Sequence, residues 1–159
     1  MQRLINRFAE RGEMLPRPLH ELYEEIRDYH LLIEAGEVVG TAAVHINWAN
    51  LAEVKAVAIA EHCQGRGYGR QLVDACVADA RDLGVATLFC LTYQPVFFRK
   101  VGFREVDRNM LPRKVWSECV RCPKFTDCTE IAMIRQVLAI PTPAPPDPLE
   151  SLATLPRRG

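Results

Sequence analysis

The sequence predicts an α/β (α+β) domain, a mixed β-sheet with helices packed on it. Three observations carry that expectation. Apolar residues recur at helical spacing in some segments and alternate or run continuously in others, and the two kinds interleave along the chain. A strand-like run, AEVKAVAI, passes into a glycine-rich stretch, HCQGRGYGRQLV, and then into an amphipathic helix. The chain has 159 residues, 48% of them hydrophobic, enough for one real core.

The elements follow in order. Residues 2–12 carry Leu4, Ile5 and Phe8 at helical period, and Gly12 is placed to end that helix. A second helix is expected over Leu19–Tyr29. YHLLIEAGEVVGTAAVHI reads as two strands joined at Ala35-Gly36-Glu37, and Ala52–Ile59 as a third. After the glycine loop, Leu72, Cys76, Ala80 and Leu83 fall on one helical face, widened by Val73 and Val77 and capped by Gly84. VATLFCLT, residues 85–92, reads as a buried strand. PVFFRKVG is a short helix with Pro95 at its start and Gly102 at its end. FREVD opens another strand, residues 113–120 suit a short helix, and EIAMIRQVL is a last strand. The domain is expected over 1–138. Residues 139–159, rich in proline, are expected to be a disordered tail. No internal repeat is visible.

Charge narrows the function classes. Twenty basic residues balance twenty acidic ones, so no electrostatic case exists for nucleic acid or an anionic membrane as partner. No apolar run approaches the length of a membrane span. MQRLINRFAE has no signal-like apolar core, which reads as a cytoplasmic chain. The four histidines, His20, His30, His45 and His62, form no ligand pair at helical spacing.

A loop that leaves a strand and opens a helix presents backbone N–H groups and the positive end of the helix dipole. Glycines there allow positive φ and close approach, which suits a phosphate or pyrophosphate; an ordinary turn with good helix-start chemistry is the alternative. There is no Gly-Lys-Ser/Thr and no GxGxxG. What stands is Gln64-Gly65-Arg66-Gly67-Tyr68-Gly69, followed by Arg70. Gln-x-x-Gly-x-Gly after a strand ending VAI resembles the acetyl-coenzyme A motif of the GCN5-related N-acetyltransferase (GNAT) superfamily. A second block, Phe97-Phe98-Arg99-Lys100-Val101-Gly102-Phe103, resembles that superfamily's "FYxKxGF" signature. The resemblance covers about residues 1–138 and implies the GNAT fold, with the family's first strand lacking a counterpart. It implies acetyl-CoA as cosubstrate. Gln64, Gly65, Arg66, Gly67, Tyr68, Gly69 and Arg70 would hold the pyrophosphate, Val57, Ala58 and Ile59 the pantetheine arm, and Phe98 would flank the cofactor.

Acetyl transfer to an amine needs a neutral nitrogen, a positioned thioester and an oxyanion donor. Glu53 is the candidate base, at a position where glutamate-dependent members of the superfamily often carry it. Period-two alternation places Glu53, Lys55, Val57 and Ile59 on one face. A strand-edge ion pair is the alternative use of Glu53. The acid that protonates the leaving thiolate is a tyrosine in the family's second block, but that position here is Phe98. Tyr93 is the substitute, with water as the other route.

Several segments are more narrowly similar to short-form N-acetylglutamate synthases, which lack the amino-acid-kinase domain: MLPR, LYEEIRDY, AEVKAVAI, LTYQPVFFRKVGF and LPRKVW. That resemblance implies L-glutamate as the amine and a place in arginine biosynthesis. Two substrate carboxylates ask for at least two cations. Arg17 and Lys55, then Lys114 and Lys124, are the candidates, each with surface solvation as its alternative. The same motifs admit another amino acid, a polyamine or a protein amine as acceptor, and the superfamily's frequent dimerisation admits a homodimer.

Of six cysteines, Cys76 and Cys90 sit in apolar periodic runs and read as core. Cys119, Cys122 and Cys128 crowd into ten residues. That spacing suits a metal, a reversible disulfide or plain packing. A metal would need a fourth ligand, for which Glu130, Cys63, Cys76 and Cys90 are the choices. A metal- or redox-sensing module on the same fold is the reading from a different functional class.

Overall fold

The computed structural model describes residues 1–112, 119–122 and 124–139. Lys114, most of the helix expected over 113–120, and the proline-rich segment from 140 onward lie outside the described residues.

Two helices lead the chain, α1 (Gln2–Glu10) and α2 (Leu19–Glu24). A hairpin follows, β1 (Tyr29–Glu34) and β2 (Glu37–Trp48), then β3 (Leu51–Ile59). The rest is α3 (Tyr68–Asp82), β4 (Thr87–Thr92), α4 (Pro95–Lys100), β5 (Arg104–Glu105) and β6 (Ile131–Gln136). One mixed sheet runs β1-β2-β3-β4-β6-β5. Among the described strands only the β3–β4 pair is parallel, as a strand–helix–strand crossover through α3 requires. This is the layered α+β arrangement expected. No helix among the described residues is long and apolar enough to cross a membrane.

Local chemistry explains most boundaries. The hairpin turns on two residues, Ala35 at φ 50° and Gly36 at φ 81°, the positive pair that a two-residue turn with native twist demands. The helix expected over Leu19–Tyr29 is shorter: α2 ends at Glu24, and a single 3₁₀ turn over Ile26–Asp28 leads into the sheet. Tyr29 is claimed by its pairing with Ala43.

The sheet is covered on both faces. On one, Leu72, Val73, Cys76, Val77 and Ala80 of α3 pack on Ala42, Val44, Val54 and Leu88. On the other, Leu4 and Phe8 of α1 pack on Val39, Ala58 and Cys63. Each such side chain contributes roughly 1.5–3 kcal/mol when fully buried, so α3 anchors the domain and α1 adds a smaller clasp.

Two departures from regular sheet make the cleft. β3 pairs with β4 only at Leu51↔Thr87, Ala52↔Leu88 and Glu53↔Phe89, and beyond Glu53 the two strands part. β3 also carries a bulge: Ala56, at φ 53°, and Val57 together oppose Ala42 of β2.

Candidate functional site

The parted strands open a cleft of ≈ 1140 Å³. One end is the glycine loop. A 3₁₀ turn over Glu61–Cys63 delivers the chain to Gly65 and Gly67, at φ 77° and 82°. Gly67 is the N-cap of α3 and brings no side-chain oxygen, so the first-turn N–H groups have no side-chain cap. At Gly69 the constraint is space: a Cβ there would lie 3.0 Å from the Phe97 ring. Gln64, Gly65, Gly67, Tyr68, Gly69 and Arg70 all line the cleft. Gln64 Nε2 donates to the Ile59 carbonyl at 3.1 Å, and Arg70 Nη2 donates to the Lys100 carbonyl at 2.6 Å. Arg66 is not among the lining residues: its guanidinium turns to Glu34 of β1 at 3.3 Å. Glu34 also accepts from Tyr68 Oη and Cys63 Sγ, each at 3.3 Å, and so braces the loop against β1.

β3 forms one wall. Val57, Ala58 and Ile59 reach the cleft, and from Val54 to Ile59 the strand edge facing β4 is unpaired with it. The expectation that Glu53, Lys55, Val57 and Ile59 share a face is corrected here. The extra residue at Ala56 inverts the alternation. Val57 packs on the α3 side with Val54, Ile59 reaches that side and also touches the α1-side cluster, and Ala58 packs on the α1 side. Lys55 reaches that side too, where Glu25 meets it.

The other end gathers charge from separate segments. Glu53 lines the cleft, half-buried, with its Cα opposite those of His45 and Phe89 in the sheet. Arg17 is 6% exposed; its N–H donates to Asn6 Oδ1 at 2.9 Å and its Nη1 lies 3.6 Å from Glu21. Lys55 is also 6% exposed, with Nζ 3.0 Å from Glu25. Lys124 Nζ donates to the Gly12 carbonyl at 2.7 Å and stands 5.2 Å from the Tyr93 ring centre. Burial, helped by Glu130 and by Cys128 and Cys122, pushes the Tyr93 phenol up to about 12. Phe98 touches the cleft but is mostly core, in edge-to-face contact with Phe97 and Phe103.

Sequence reasoning passed over two groups here. Arg108, in a 3₁₀ turn after β5, lines the cleft and donates from Nη2 to Cys128 Sγ at 3.3 Å. Glu130, considered only as a metal ligand, is a second cleft carboxylate. Burial pushes it up, against the pull of Cys128, Arg108 and Lys124. The register Thr92↔Ile131 carries it to the strand end beside Tyr93, a signal no local motif contains.

The cysteines divide as expected for Cys76 and Cys90, both buried in the α3-side core; burial pushes Cys76 up to about 12. Cys63 is buried beneath the loop. Cys119, Cys122 and Cys128 are half-exposed and line the Glu53 end of the cleft, all as free thiols. Burial first, then Glu53 and Glu130, push Cys119 up to about 11.

Residues 2–103 match the acetyltransferase (GNAT) family model. The chain is 34% identical over 135 residues to an uncharacterised N-acetyltransferase of Chlorobaculum tepidum, covering 85% of this chain and 87% of that one. It is 32% identical over 111 residues to an amino-acid acetyltransferase of Mycobacterium tuberculosis, covering 68% and 64%. In fold it resembles the N-acetylglutamate synthase of Neisseria gonorrhoeae solved with coenzyme A and N-acetyl-glutamate, with TM-score 0.77 and 24% identity over 86% of this chain but 32% of that one. A Mycobacterium tuberculosis protein solved with coenzyme A aligns with TM-score 0.72 and 27% identity, over 86% and 92%. The chain thus spans about a third of the gonococcal enzyme, under two thirds of the amino-acid acetyltransferase of Mycobacterium tuberculosis, and most of the Chlorobaculum tepidum relative. With its paired blocks, its parted strands and these matches, the chain belongs to the acetyltransferase (GNAT) family.

Proposed function

We propose that this chain transfers the acetyl group of acetyl-CoA to the α-amine of an amino acid, with L-glutamate as the substrate. The observation that carries the reading is the build of the cleft between β3 and β4. It runs from the glycine loop and bare β3 edge to a cluster of two half-buried glutamates, Glu53 and Glu130, and several cations.

The first-turn N–H groups of α3 and the open space at Gly65 and Gly67 suit a pyrophosphate. The unpaired edge of Val57, Ala58 and Ile59 suits the amides of a pantetheine arm laid alongside as an added strand. Acetyl-CoA supplies the thioester; this chain supplies position and proton traffic. Glu53 takes a proton from the substrate ammonium, directly or through water, since only the free amine attacks. Tyr93, held protonated at neutral pH, donates a hydrogen bond toward the leaving sulfur. Arg17 and Lys55 receive the substrate carboxylates, with Lys124 across the cleft. Glu21 and Glu25 keep the first two in place meanwhile.

The test is turnover of acetyl-CoA by the purified chain with each common amino acid and with polyamines, read by mass spectrometry of the product. Acetylation chiefly of glutamate is the expected result. Chief acetylation of glutamine would mean that the cations meet a single carboxylate. Chief acetylation of a polyamine, or no product with any amino acid, would overturn the substrate assignment while leaving the fold untouched.

A further inference from the structure

Two side-chain groups compete as an additional site. Glu25, Asp28 and His45 offer ligand atoms within 4.8 Å of one another. The Lys55 ammonium already lies 3.0 Å from Glu25, and His45 Nδ1 is 2.7 Å from Asp28. The Lys55 ammonium and the His45 ring thus already occupy the two carboxylates, and the cluster is a hydrogen-bonded network rather than a vacancy for a metal.

The segment from Cys119 to Glu130 is different. It consists of a 3₁₀ turn over Cys119–Arg121, another over Phe125–Asp127, and connecting chain. Among its described side chains none is buried, and Val120 is 67% exposed. Apolar burial is what usually orders a stretch of this length, and the described side chains do not supply it. What it has instead is three half-exposed thiols lining the cleft, and Glu130 Oε2 3.5 Å from Cys128 Sγ. The three other cysteines are spent in the core; of the two carboxylates near this trio, Glu53 and Glu130, it is Glu130 that touches a sulfur, and it serves as the fourth donor.

Two of the three sulfurs, Cys122 and Cys128, already accept N–H donors. Cys122 N–H donates to the Cys119 carbonyl at 2.9 Å, folding the Cys-x2-Cys into a tight turn. Lys124 N–H then donates back to Cys122 Sγ at 3.4 Å. Arg108 Nη2 donates to Cys128 Sγ at 3.3 Å. Such N–H···S bonds offset charge on metal-bound sulfur and orient the ligand.

We propose that Cys119, Cys122, Cys128 and Glu130 form a structural zinc site that staples this segment against the cleft. Three thiols lose their protons to solvent, and three thiolates with one carboxylate bind the dication tetrahedrally. The net double negative charge of that centre is met by Arg108, which donates to Cys128, and by Lys124, two residues beyond Cys122; both line the cleft. No three of these four donor atoms lie within 4.8 Å of one another in the structure, where Glu130 and Cys128 alone are in contact, so binding must draw the other two sulfurs in. The proposal is independent of the acetyl-transfer reading.

The full chain, purified under reductant without added metal, is analysed for metal by mass spectrometry. It is then stripped and titrated with cobalt(II). Stoichiometric zinc and intense thiolate-to-cobalt charge-transfer and tetrahedral d–d bands are expected. Cys122→Ser and Cys128→Ser should lose both while keeping native circular dichroism, and Cys63→Ser should keep both. Chelation should expose residues 119–130 to protease while the glycine loop stays protected. A reduced wild-type chain that holds no zinc and gives no cobalt bands overturns the proposal. So does stoichiometric zinc that survives Cys122→Ser, or a disulfide among these three cysteines in place of metal.

Discussion

The two ends of the cleft are built on different principles. The glycine-loop end is one continuous stretch, Val57 to Arg70, and what it offers a ligand is mainly backbone. The Glu53 end is assembled from segments far apart in the chain: Arg17 after α1, Glu53 and Lys55 on β3, Tyr93 after β4, Lys124 and Glu130 before β6. It offers side chains. A backbone site is indifferent to most substitutions and sensitive to glycine; a side-chain site is the reverse. One end suits a constant cosubstrate, the other a selected acceptor.

Glu53→Gln separates the ends most sharply. Turnover should fall by roughly 10²–10⁴-fold, the range for a lost general base, with coenzyme A binding by calorimetry unchanged. Unchanged turnover would remove Glu53 as the base. Lys55 is nearly buried against Glu25, so Glu25→Ala should destabilise the fold by about 3 kcal/mol in denaturant titration, by leaving a cation without that partner. A shift within error would mean that the pair is better hydrated than its burial implies. Arg17→Ala should raise the glutamate KM roughly tenfold, as for one charged hydrogen bond, and leave the acetyl-CoA KM alone. Loss of coenzyme affinity instead would place Arg17 at the wrong end.

Gly67→Val tests the backbone end. A branched side chain at φ 82° is strained by about 1–2 kcal/mol, so coenzyme A affinity should drop several-fold with little change in the glutamate KM. Equal loss for both substrates would show that the two ends are not separable. The smallest effect belongs to His45. The hydrogen bond to Asp28 raises its pKa, so the protonated form is favoured in the fold. That stabilisation is complete below the unfolded value of about 6.5 and is lost as pH rises through the raised folded value. His45→Asn should remove this loss from the profile of thermal stability against pH, and a profile identical to wild type would refute it.

Much of this was readable along the chain. Ala35-Gly36 marked the hairpin, the spacing of Leu72, Cys76 and Ala80 marked the face of α3, and Gln64 to Gly69 marked the loop. Each is a local rule, satisfied within a few residues. What escaped was set by distant partners. Nothing in an alanine announces a positive φ, yet Ala56 adopts one because β2 and β3 run out of register there, and the faces of Val57 and Ile59 change with it. Arg66 reads as a phosphate ligand beside its glycines, but Glu34, thirty-two residues earlier, takes its charge. Glu130 and Arg108 carry no periodicity that would distinguish them from solvated residues.

By itself the sequence determined the layer order and the glycine-loop helix start, because short-range backbone preferences and apolar periodicity act without knowledge of the rest of the molecule; the family came from the resemblance of two motif blocks, Gln64 to Gly69 and Phe97 to Phe103. Only the tertiary structure decided where β3 leaves β4, which way its side chains point beyond the bulge, and which charges meet across the cleft. Those are matters of pairing and burial between segments tens of residues apart, and the free energy of such contacts exists only once the sheet has brought them together.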